Sequence, residues 1–65
     1  MYNQIRQYAD GTSIWVDPDT NWIAFCPPGG YPQDADSVVR GYVDQSWIDD
    51  SDAAGTAAKA SYDWF

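Results

Sequence analysis

The chain has 65 residues and a formal charge of −7, from ten aspartates against Arg6, Arg40 and Lys59, with no glutamate, histidine or leucine. A polypeptide this short, which buries only about 60% of its unfolded surface, makes a single small domain spanning 1–65. Three bases against ten acids cannot displace the counterions around phosphate or hold an anionic bilayer, which excludes direct nucleic-acid binding and membrane-surface binding.

The first segment, Met1-Tyr2-Asn3-Gln4-Ile5-Arg6, has no apolar stretch of the kind a secretory signal needs. It leads into Asp10-Gly11, a type I′ hairpin signal, because both central residues of that turn need positive φ and these two adopt it cheaply. A two-residue turn there predicts the pairs Gln7 with Ile14 and Ile5 with Val16. A second reversal is expected at Asp17-Pro18-Asp19-Thr20-Asn21, where Pro18 presets φ, Asp19 bonds its own backbone and Asn21 takes a left-handed conformation. With Pro18 to Asn21 as the loop, Val16 faces Ile23 and Ile14 faces Phe25.

The two registers together place Ile5, Ile14, Val16, Ile23 and Phe25 on one face of a three-stranded antiparallel β-meander spanning 1–26. The opposite face is then expected to carry Arg6, Tyr8, Trp15, Trp22 and Ala24, with Arg6 opposite Trp15 in cation–π range. Gly11 to Asp17, with Thr20, Phe25 and Pro28, fall at a spacing similar to that of the WW domain over about 20 residues. The aromatic pair that grips proline-rich ligands in that family is matched here by Ile14 and Phe25, so proline-peptide binding does not carry over.

The longest apolar run, Trp22-Ile23-Ala24-Phe25-Cys26, falls far short of the roughly 20 residues that span a bilayer. Cys26, the one cysteine, has no basic neighbour to activate it and is expected to serve as a small buried hydrophobe. The Pro/Gly-rich stretch 27–33 is a joint that forbids regular structure. Beyond it, 34–65 is expected to be mainly helical. Asp34 or Asp36 would cap a helix through about Ile48, with a strand through Val38–Val43 as the alternative suggested by the Val38-Val39 pair and Gly41. Ser51 or Asp52 would cap an Ala-rich helix through Ala60, with Asp52 and Lys59 complementing its dipole. Tyr62, Trp64 and Phe65 would anchor its end. The predicted architecture is thus α+β: a three-stranded antiparallel meander packed against one or two short C-terminal helices.

Chemistry is sparse. Without histidine there is no imidazole base and no plausible zinc site, and the chain calls for no cofactor or metal. Asp17, Asp19 and Asn21 match the first oxygen positions of a calcium loop, but Trp22 stands where the glycine belongs and Pro28 where the final glutamate belongs. Aspartates spread over turns and caps do not make the buried carboxylate pair that acid–base catalysis uses, so the protein is expected to be non-enzymatic.

Two functional expectations remain. The stronger is a small structural or assembly protein, such as a minor virion or decoration component, that docks on a larger protein or multi-subunit assembly, or on another copy of itself. The aromatic face formed by Arg6, Tyr8, Trp15 and Trp22 would make that contact, because contiguous aromatic surface on a small protein marks interfaces. The alternative is a nucleic-acid mimic of the phage anti-defence type, presenting Asp49, Asp50 and Asp52 to a cationic groove. Either role would be played in the virion or the host cytoplasm.

Overall fold

A computed structural model describes all residues from Met1 to Phe65. Four antiparallel strands form one sheet in sequential order: β1 (Asn3–Gln7), β2 (Ser13–Asp17), β3 (Trp22–Cys26) and β4 (Val38–Arg40). Two helices follow, α1 (Gln45–Asp49) and α2 (Ser51–Ser61). The fold is α+β, as the sequence predicts, with one strand more than the expected three.

The extra strand replaces the first half of the helix expected from Asp34 or Asp36. Asp34 does cap, but it caps a turn: its carboxylate accepts the Tyr31 amide at 2.8 Å, and its carbonyl accepts the Ser37 amide at 3.1 Å. Val38 and Val39, stiff at χ1, then extend to pair with Phe25 and Ala24. Tyr42 in a left-handed conformation (φ 58°) ends the strand, and helix begins only at α1. The segment 34–65 is therefore turn and strand as far as Arg40 and helical only from Gln45 to Ser61.

The β2–β3 hairpin has the register read from its turn. Val16 faces Ile23, Ile14 faces Phe25, and Asn21 adopts φ 58° while its amide closes the loop on the Asp17 carbonyl at 2.8 Å. The β1–β2 hairpin does not follow its predicted register. Its connection is Ala9-Asp10-Gly11, a type I turn closed by the Gly11 amide on the Tyr8 carbonyl (3.0 Å), with Gly11 left-handed at φ 94°. Asp10 fastens it by accepting both the amide and the hydroxyl of Thr12, at 3.0 and 2.6 Å. The extra loop residue slips the strand by one, so that Arg6 faces Ile14 and Gln7 faces Ser13. A bulge at Ile5 then shifts the register again, setting Gln4 opposite Trp15 and Asn3 opposite Val16.

The core lies between the sheet and the C-terminal segment. Ile14, Val16, Ile23 and Phe25 pack against Ala54 and Ala58 of α2, with Tyr8, Val43, Trp47, Ile48, Tyr62, Trp64 and Phe65 around them. Phe25 is the hub, with ring centroids 6.3, 5.6 and 5.8 Å from those of Trp47, Tyr62 and Phe65. Full burial of Phe25, Ile14 and Ile23 contributes about 1.5–3 kcal/mol for each side chain. α2 reaches the sheet closely because its buried residues are Ala54, Gly55 and Ala58. Asp50 is its N-cap, accepting the Asp52 amide at 3.0 Å, one residue before the cap expected at Ser51 or Asp52. Asp52 stands in the first turn and Lys59 in the last, as the helix dipole favours. No helix is long and apolar enough to cross a membrane.

Candidate docking face of the sheet

The helices cover one face of the sheet, and the side chains that alternate with the core residues point to the other. Its central rung runs Gln4, Trp15, Ala24, Val39 across the four strands. Trp22 follows one step along β3, paired with Asp17. Ala24 is fully buried between its larger neighbours. Trp22 and Val39 remain 41% and 39% exposed, and Tyr31, on the loop beyond Cys26, remains 55% exposed.

Each aromatic side chain is held by a local feature of the sequence. The Trp15 indole donates from Nε1 to Ser13 Oγ at 2.8 Å, a bond between residues two apart on the same side of the strand. Trp22 lies over Gly41, where a β-carbon would stand 2.6 Å from indole Cε2, so this position needs glycine to let the ring settle on the backbone. Tyr31 meets Trp15 with ring centroids 5.8 Å apart. Its backbone is clamped by Asp34 on the amide and by the Ser37 hydroxyl on the carbonyl, at 2.7 Å for the latter. The result is a fixed aromatic surface with a polar border of Gln4, Gln7 and Asp17.

The four residues expected to share one aromatic face divide between two. Trp15 and Trp22 are on the open face. Arg6 and Tyr8 are on the helix-covered face, because the hairpin loop is one residue longer than a two-residue turn and odd shifts exchange the faces of a strand. Arg6 is therefore on the other side of the sheet from Trp15; it lies over Tyr8 at 5.2 Å, donates to Ser51 Oγ at 3.2 Å and pairs with Asp52. Tyr8 packs edge-on against Phe65 at 5.3 Å, with Lys59 5.5 Å above its ring. Val39 and Tyr31 complete the open face in their place. The β-branched Val38-Val39 pair was the available signal for Val39; Tyr31 had none beyond its own aromaticity.

The acidic trio does not form a convergent cluster. Asp49 accepts from the Gln45 carboxamide at 3.2 Å, Asp50 caps α2, and Asp52 pairs with Arg6. Asp10 is held below its ordinary carboxyl value by the Thr12 hydroxyl and then the Thr12 amide, and Asp17 chiefly by the Asp19 amide, at 2.9 Å. Both are turn chemistry. Cys26 is fully buried, and burial pushes its thiol up. Burial also raises Tyr2, with the Asp17 charge second.

Comparison with known protein families, with curated proteins and with solved structures finds no match to this chain.

Proposed function

We propose that this protein is a small non-catalytic assembly component, of the virion or decoration type, that docks on a larger protein through the open sheet face bearing Trp15, Trp22, Tyr31 and Val39. The observation that carries the reading is that large apolar side chains stand 39–55% exposed at Val39, Trp22 and Tyr31, on the one face that the chain's own helices leave uncovered. Trp and Tyr are the residues in which binding energy concentrates at interfaces. Here they are also preorganised: Trp15 is tied to Ser13 and Trp22 is seated on Gly41, so docking loses little side-chain entropy.

Support for a non-catalytic role comes from the groups that could do chemistry. The thiol is buried, histidine is missing, and the trio Asp49, Asp50 and Asp52 is occupied by a carboxamide, a helix start and a guanidinium. The virion setting rests on composition alone, which is rich in Ala, Gly, Ser, Thr, Asp, Tyr and Trp and poor in Lys, Glu and Leu.

The test is affinity purification of the tagged protein from its native host or particle at low and high salt, with the partner identified by intact mass. Wild type is compared with Trp22→Ala and with Asp49, Asp50 and Asp52→Asn, each first checked for a cooperative thermal transition. The proposal expects one partner that survives high salt and the aspartate changes and is lost with Trp22→Ala. The opposite pattern, a partner lost in salt and with the asparagine variant yet kept by Trp22→Ala, would establish charge mimicry instead.

A further inference from the structure

We infer that the groove beside Trp15 is a subsite for a neutral sugar, a single hexopyranose unit that lies on the aromatic pair Trp15 and Tyr31 and is hydrogen-bonded by Gln4 and Gln7.

The groove lies between the β1–β2 hairpin and the loop after β3 and encloses about 100 Å³. Trp15 and Tyr31, whose rings meet at 5.8 Å and 60°, line one part of it, and the backbone of Gly29 and Gly30 lines another. The loop is drawn to the hairpin by Gly11, whose carbonyl accepts the Gly29 amide at 3.4 Å.

The β1 bulge gives the groove its polar groups. Gln4 and Gln7 are three positions apart, and in a regular strand they would point to opposite sides of the sheet. The bulge at Ile5 puts one opposite Trp15 and the other opposite Ser13, so both reach the same groove. Unlike Gln45, which donates to Asp49, neither carboxamide is hydrogen-bonded within the chain.

Charge and chemistry select the ligand class. The chain carries ten aspartates, yet none of the 8 residues lining the groove is charged. Nothing there would attract an ion of either sign, and the overall −7 charge repels anions. A carboxamide donates and accepts at once, which suits vicinal hydroxyls that must do the same. Aromatic faces suit the C–H side of a pyranose ring. A proline-rich peptide would want a longer aromatic channel with fewer amides. A half-open site of this size holds one sugar at roughly millimolar strength.

Trp15 and Tyr31 also belong to the docking face, so the test uses Gln4 and Gln7, which lie at its border and leave Trp22 and Val39 untouched. The intact protein is applied to an array of immobilised neutral glycans, and free cellobiose, maltose, lactose and N,N′-diacetylchitobiose are titrated separately while the Trp15 indole N–H resonance is followed. The expected result is binding to a subset of glycans, a saturable shift of that resonance with the matching disaccharide, and loss by about tenfold or more in Gln4→Ala/Gln7→Ala with the remaining amide spectrum unchanged. Array binding without any free-disaccharide shift would place recognition in a longer glycan chain and still require the two glutamines. The inference is overturned if no glycan binds, if binding survives the double substitution, or if a polyproline peptide moves the resonance and no sugar does.

Discussion

Tyr8 and Gly55 are in direct contact across the core: the tyrosine hydroxyl occupies the space a side chain at 55 would need, and a β-carbon there would also come within 3.1 Å of Tyr8 Cζ. In an exposed helix interior, Gly→Ala stabilises by about 1 kcal/mol. Here Gly55→Ala is expected to do the reverse and destabilise by about 1–3 kcal/mol, because the overlap forces Tyr8 or α2 to move. Adding Tyr8→Phe removes the clashing oxygen and should return part of the loss. Urea denaturation of the two single variants and the double variant measures the coupling, and a Gly55→Ala protein more stable than wild type would contradict the contact.

Tyr42 offers a gain in stability. It is 99% exposed and held at φ 58°, a conformation that disfavours side chains by about 1–2 kcal/mol. Tyr42→Gly is expected to raise the denaturation midpoint, by about 1 kcal/mol in free energy, since the ring buries nothing that glycine would lose.

Much of this arrangement can be read from residue types, and the exceptions have physical causes. The Asp17–Trp22 reversal is over-determined by Pro18, by Asp17 accepting the Asp19 amide and by left-handed Asn21, and its register follows residue by residue. Asp10-Gly11 is degenerate. The same dipeptide serves a two-residue turn or a longer one ending in left-handed glycine, and the choice falls to the local Asp10–Thr12 bonds and to the tertiary contact of Tyr8 with Gly55. That one-residue difference decides which half of the expected aromatic face is real. For Val38–Arg40, helical spacing of apolar residues competes with β-branching, and pairing with β3 settles it as strand. Trp15 and Trp22 were legible as surface because they alternate with core residues in the hairpin whose register was secure.

Acid should unfold the protein partly through its turns. Asp10 and Asp17 have folded values below the ordinary 3.8, so the stability they lend is fully present above that value and is lost as pH falls through the lower folded value. Asp10→Asn removes one such group. Its denaturation midpoint is expected to fall less steeply than that of wild type between pH 4 and pH 2, roughly the window in which these carboxyls titrate. Equal slopes for the two proteins would show that the Thr12 bonds carry no linkage.

The Cys26 thiol should be silent in the native state. It is fully buried and pushed above its ordinary value of 9.0 by desolvation, so an aromatic disulfide reagent at neutral pH is expected to label it only at the rate of unfolding. Because the folded state resists ionisation, stability should decline as pH rises past that ordinary value, where the unfolded thiol ionises first. Fast labelling in the absence of denaturant would show an exposed sulfur.

The two irregularities of β1, its three-residue connection and its bulge, give the gene an unusual sensitivity. Substitutions within Asn3–Gln7 change one contact at a time, whereas deletion of a single codon among those for Ala9, Asp10 and Gly11 would turn the strand over as a unit. Arg6 and Tyr8 would leave α2, Gln4 and Gln7 would be turned toward the core, and the neutral groove would lose both amides. Variation in this chain should therefore preserve spacing more strictly than residue identity along its first strand.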